Sequence, residues 1–83
     1  MANWRLTVNL ADIWEVDMPF KHKRDVITKR IHSSGWMNDS LHPDELLELV
    51  SDLAVAQSHG EFNAIWNFIY DIADADGVWI ATF

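Results

Sequence analysis

The chain has no cysteine, two prolines, three glycines, one tyrosine and, beyond position 30, no lysine or arginine. Without cysteine there is neither a disulfide framework nor a thiolate metal site, and folding needs no oxidising compartment. Three scattered glycines supply no phosphate-cradling loop, and no repeat, linker or low-complexity segment interrupts the sequence. No window approaches the roughly 18 apolar residues of a membrane span, and the amino terminus lacks a basic segment followed by an apolar stretch. A cytosolic protein without a targeting signal is therefore expected.

What is present is acidic and aromatic. Eighty-three residues are read as a single domain, 1–83, and a domain this short buries only about 60 to 65 per cent of its unfolded surface. The net charge is −7, but its distribution matters more than its sum. All six cations (Arg5, Lys21, Lys23, Arg24, Lys29, Arg30) fall in the first thirty positions, while nine acids follow from Ile31 onward with no compensating cation. Such asymmetry implies internal charge pairing or a surface for a basic partner. Five tryptophans, four phenylalanines and Tyr70 let few residues build a core. Tryptophan is also a common anchor at interfaces.

Alternation of Trp4, Leu6, Val8 and Leu10 with Arg5, Thr7 and Asn9 predicts a strand. After a connection over Ala11 to Asp17, Pro19 opens a helix that runs to about His32, capped by Asp17 or Met18. Its apolar stripe is narrow, so the stems of Lys23, Arg24 and Arg30 must help cover the core, and Gly35 is the left-handed residue that ends it. Pro43 opens a second helix whose apolar face holds Leu46, Leu47, Leu49, Val50, Leu53 and Ala54. Asp44, Glu45, Glu48 and Asp52 form the other face. Ser58 and Glu61 have capping-box spacing for a third helix, on which Phe62, Ile65, Trp66, Ile69, Tyr70 and Ala73 share a stripe widened by Phe68 and Ile72. Asp74 to Gly77 reads as a turn, and Val78 to Phe83 as a last strand buried on both faces. The expected fold is α+β, in the order β-α-α-α-β: three helices packed on a small sheet made by the terminal strands, with Trp66 and Ile69 at the centre. An odd number of helices favours parallel pairing of those strands.

Chemistry-bearing constellations are weak. Asp74-Ala75-Asp76-Gly77 resembles the middle of a calcium loop, but Ile72 and Phe83 would then occupy the first and closing ligand positions. None of His22, His32, His42 and His59 stands three or four residues from another, as a shared helical face would require. The serines sit at caps, turns and solvated faces, without a nucleophile's setting. No enzyme activity, metal or cofactor is expected. Nor is direct nucleic-acid binding, since a chain of charge −7 repels phosphates; the basic helix is expected to pair with the protein's own acidic helices.

The segments Trp4-Arg5-Leu6-Thr7-Val8-Asn9-Leu10, Asp17 to Trp36 with Lys23-Arg24-Asp25 inside it, Tyr70-Asp71-Ile72-Ala73-Asp74 and Val78-Trp79-Ile80-Ala81-Thr82-Phe83 cover most of the chain. Together they resemble small uncharacterised proteins encoded by bacteriophages of actinobacteria, chiefly mycobacteriophages. The resemblance implies a protein that works in the cytoplasm of an infected bacterial host, and small acidic phage proteins often act by binding host proteins.

The expected function is thus a non-catalytic accessory protein that binds a host or phage protein. The candidate partner surface consists of Asp44, Glu45, Glu48 and Asp52 on the second helix with Asp71, Asp74 and Asp76 near the last turn, facing a basic surface. A narrower version is a DNA mimic that inhibits a nucleic-acid-binding protein. A third is a structural homodimer joined through Trp79 and Phe83 on the last strand.

Overall fold

A computed structural model describes residues 6–14 and 17–81. The chain mixes helix and sheet: β1 (Leu6–Asn9), α1 (Ala11–Trp14), α2 (Phe20–Ser33), α3 (Trp36–Asp39), α4 (Pro43–Ala54), α5 (His59–Asp76) and β2 (Val78–Ala81). The three long helices stand where the apolar periodicity put them. Two further one-turn helices occupy stretches read as connections. Asn9 Oδ1 accepts a hydrogen bond from Ala11 N at 3.0 Å, which gives α1 its start. Ser34 Oγ accepts from Trp36 N at 3.2 Å and donates to Ile31 O at 2.6 Å, so one hydroxyl joins the end of α2 to the start of α3.

Helix boundaries follow local chemistry. Gly35 and Gly77 have φ of 83° and 73°, a left-handed conformation that a side chain makes costly, and they terminate α2 and α5. Ser58 Oγ accepts from Glu61 N at 3.2 Å while Glu61 Oε2 accepts from Gln57 N at 2.7 Å, a reciprocal cap at the head of α5. At α2 the cap position is held by Pro19 itself, with no side-chain cap, and not by Asp17 or Met18. The acidic run expected to form a turn is instead the end of α5, which continues through Asp76.

β1 and β2 pair in parallel, with Leu6 opposite Val78 and Asn9 opposite Ala81, and Leu10 N extends the ladder to Ala81 O at 2.7 Å. Parallel neighbours need a long crossover, and here the entire helical body is that crossover. Two strands alone are marginal in water. This pair is held by burial of Val8, Val78 and Ile80 and by the packing of α5 on β2. On the opposite face Ala81 is buried but Trp79 is 44% exposed, so within one copy of the chain the last strand is covered only in part on that face. Thr82 and Phe83, like Trp4 and Arg5, lie outside the described residues.

The core joins α2, α3, α4 and α5. Ile27, Ile31, Trp36, Leu46, Val50, Leu53 and Ile69 are inaccessible to solvent, each contributing about 1.5–3 kcal/mol for a side chain of this size. Phe20 on α2 meets Phe62 on α5 edge-on at 5.8 Å, and Phe62 stacks on Trp66 at 6.0 Å. On α5 the buried stripe is narrower than the sequence suggested. Phe68 and Tyr70 both face solvent, and Leu47 of α4 does the same.

Candidate functional site

The seven candidate carboxylates divide into two groups with different surroundings. Asp76 is 4% exposed, so the surface role expected of it does not fit its place in the fold. It is the last residue of α5, a position where the helix dipole disfavours a negative charge. Tertiary hydrogen bonds outweigh that cost. Trp36 Nε1 donates to Asp76 Oδ2 at 2.8 Å, Ser40 Oγ donates to the same oxygen at 2.7 Å, and Leu41 N donates to Oδ1 at 3.0 Å. Ser40 Oγ also accepts from His42 N at 3.0 Å, extending the network to the head of α4. Burial, the largest single influence, pushes the Asp76 carboxyl up; the Trp36, Ser40 and Leu41 donors with His42 outweigh it and hold the group below its ordinary range. Asp76 therefore fastens the α3–α4 segment to the end of α5.

Asp44, Glu45, Glu48 and Asp52 remain on the surface of α4. Among the described residues, none of the four side chains forms an ion pair or a hydrogen bond. The two arginines of α2 bond away from the acidic edge of α4, although the basic helix was expected to pair with the acidic helices. Arg24 Nη1 donates to Ala56 O at 2.6 Å, just past the end of α4, and its Nε approaches Asp25 at 3.3 Å. A guanidinium so placed complements the negative end of the α4 dipole. Arg30 grips Asp12 of α1 with two parallel hydrogen bonds, Nη2 to Oδ2 at 2.8 Å, and reaches Asn9 O at 3.2 Å. The guanidinium donors and charge hold the Asp12 carboxyl below its usual range.

Between α4 and α5 lies a groove of about 260 Å³ lined by Glu45, Glu48, Leu49, Asp52 and Phe68. Glu45, Glu48 and Asp52 are spaced by three and four, so they follow one edge of α4. Phe68, 60% exposed, comes from α5. Asp44 is not part of this lining. Asp71 is exposed one turn beyond Phe68, and Asp74 one turn further on. The arrangement thus gathers three of the seven candidates around an apolar floor that was not foreseen, leaves Asp44, Asp71 and Asp74 exposed outside the lining, and removes Asp76. Of the two residues proposed for a dimer edge, Trp79 is exposed and Phe83 lies outside the described residues.

A smaller cavity of about 100 Å³ lies at the other end of α5, between Phe20, Lys23, Arg24, His59, Phe62 and Asn63. His59 packs against Phe20 there, ring centroids 4.6 Å apart. Among the described residues, no three His, Asp or Glu side chains are gathered in a way that could hold a metal ion, and no helix is long and apolar enough to cross a membrane. Comparisons with protein-family models, with curated proteins and with solved structures find no match to this chain.

Proposed function

We propose that the chain is a non-catalytic accessory protein that acts by binding another protein through α4 and the adjoining edge of α5. The observation that carries this reading is the exposed Phe68 beside the unpaired carboxylates of Glu45, Glu48 and Asp52. Exposed acids by themselves serve solubility. An aromatic ring left in water among them contributes little to this chain's own core, whereas apolar anchors with charged surroundings are what interfaces use. That apolar floor favours a partner with an apolar anchor over the narrower DNA-mimic reading, which needs charge alone. In keeping with the resemblance to actinobacteriophage proteins, the partner is a host or phage protein met in the cytoplasm of the infected cell.

Affinity capture from host lysate on the immobilised chain, eluted with a salt gradient, tests this reading. One dominant protein released by moderate salt and missing from a Glu48→Lys/Asp52→Lys variant is the expected result. Identical catches on both chains would overturn it. Self-association through the last strand is a second reading, favoured by the exposure of Trp79 on a sheet that has two strands among the described residues. A monomer mass that is independent of concentration removes it.

A further inference from the structure

We infer that the α4–α5 groove is a docking site for one basic amphipathic helix of a partner protein, which seats a bulky apolar side chain on Phe68 and Leu49 and sets Lys or Arg against Glu45, Glu48 and Asp52. The inference rests on the protein-binding reading above and supplies the chemistry of the occupant.

Size comes first. At about 260 Å³ the groove is smaller than the roughly 300–1,000 Å³ of small-molecule sites, and its floor is one half-buried leucine and one exposed phenyl ring. That is the scale of one or two apolar side chains. The furrow between two neighbouring helices is also the usual seat of a third, whose side-chain ridge enters it.

Charge then selects among helices. The three carboxylates follow the edge of α4 from Glu45 to Asp52, seven residues or about 10 Å of helix. Cations repeated every three or four residues on a helix laid alongside meet them in turn. Among the described residues none of the three carboxylates is neutralised by an ion pair, and Arg24 and Arg30 bond elsewhere, at Ala56, Asp25 and Asp12. An acidic helix is repelled, and a nucleic acid has the wrong sign. A basic helix without an apolar residue would leave Phe68 uncovered and gain only the screened attraction of exposed charges. The occupant therefore needs both the cations and the anchor.

The test uses the full chain and a fluorescein-labelled peptide of about 16 residues, roughly four helical turns, built from alanine with Lys at i, i+3 and i+7 around a Leu-Phe anchor. A scrambled peptide of equal composition separates helix-face recognition from charge. Fluorescence anisotropy at low and physiological salt should give saturable binding to the designed peptide and at least about tenfold weaker binding to the scrambled one. Phe68→Ser should weaken binding about tenfold and keep the salt dependence; Glu48→Lys/Asp52→Lys should weaken it as much and flatten the salt dependence. Asp17→Lys/Asp25→Lys, with the same change in net charge outside the groove lining, should stay within about threefold. All substituted residues are exposed, and unchanged urea midpoints identify the folded variants. Equal binding of the two peptides, or full affinity in Phe68→Ser, overturns the inference. If the peptide fails while lysate capture still depends on Glu48 and Asp52, the occupant is wrong and the protein-binding reading stands; failure of both overturns both.

Discussion

Asp76 and the acids of α4 carry the same charge and lie in the same uncompensated half of the chain, yet the fold uses them in opposite ways. Asp76 receives three donors in the interior and ties α3 and α4 to the end of α5. Among the described residues, the carboxylates of Glu45, Glu48 and Asp52 receive none, and they border an exposed phenyl ring. Formal charge therefore does not locate a recognition surface. What separates the two groups is whether donors converge on the carboxylate, and that depends on tertiary contacts such as Trp36 to Asp76, forty residues apart.

The sharpest way to break this comparison is to remove the inward carboxylate. Asp76→Ala leaves the buried Trp36 Nε1–H and the Leu41 N–H without their acceptor, and a loss of about 3 kcal/mol is expected; urea unfolding measures it. A surface role for Asp76 predicts almost no change. Trp36→Phe removes only one donor and some volume, so its expected cost is smaller, about 1–2 kcal/mol in the same assay. Arg24→Met keeps the stem but not the hydrogen bond to Ala56 O, at an expected cost of about 1 kcal/mol.

Acid separates the groups further. Because the Asp76 carboxyl is held below its unfolded value, near 3.9 for a free Asp, its contribution to stability is complete above that value and is lost as pH falls through the folded one. Midpoints measured between pH 6 and about 3 should therefore fall less steeply in Asp76→Asn than in the parent chain. At the small end, Phe68→Ser and Glu48→Lys/Asp52→Lys should change stability by no more than about 0.5 kcal/mol, the charge reversal in the stabilising direction because it relieves repulsion along α4.

The sequence made the scaffold legible and misjudged its edges. Alternation and helical periodicity marked both strands and the three long helices, and Gly35 and the Ser58–Glu61 pair marked their ends, because those signals are local. The one-turn helices α1 and α3 carry too few residues for a period to register. Asp76 was missed because its Asp-Gly context suggested a turn. It follows Ile69 by seven, Ile72 by four and Ala73 by three, so extending the third helix by two residues would have placed it on the buried stripe. An acid at the disfavoured end of that helix was a further clue. Phe68 was assigned to the same stripe on hydrophobicity, but the stripe is filled by Phe62, Trp66, Ile69 and Ile72, and Phe68 falls at its margin. The acidic edge of α4 was visible from spacing; its apolar companion across the groove required the packing of α4 on α5.

On the proposed reading, the outward acids with Phe68 receive a partner while Asp76 holds the fold together. Amide and indole chemical shifts of the labelled chain, followed as the basic amphipathic peptide is added, test it most directly. Shifts should concentrate on residues 45–52 and 65–71, with the Trp36 indole N–H that bonds Asp76 unmoved. Shifts centred on that indole, or on the Phe20–His59 end of the molecule, would contradict it.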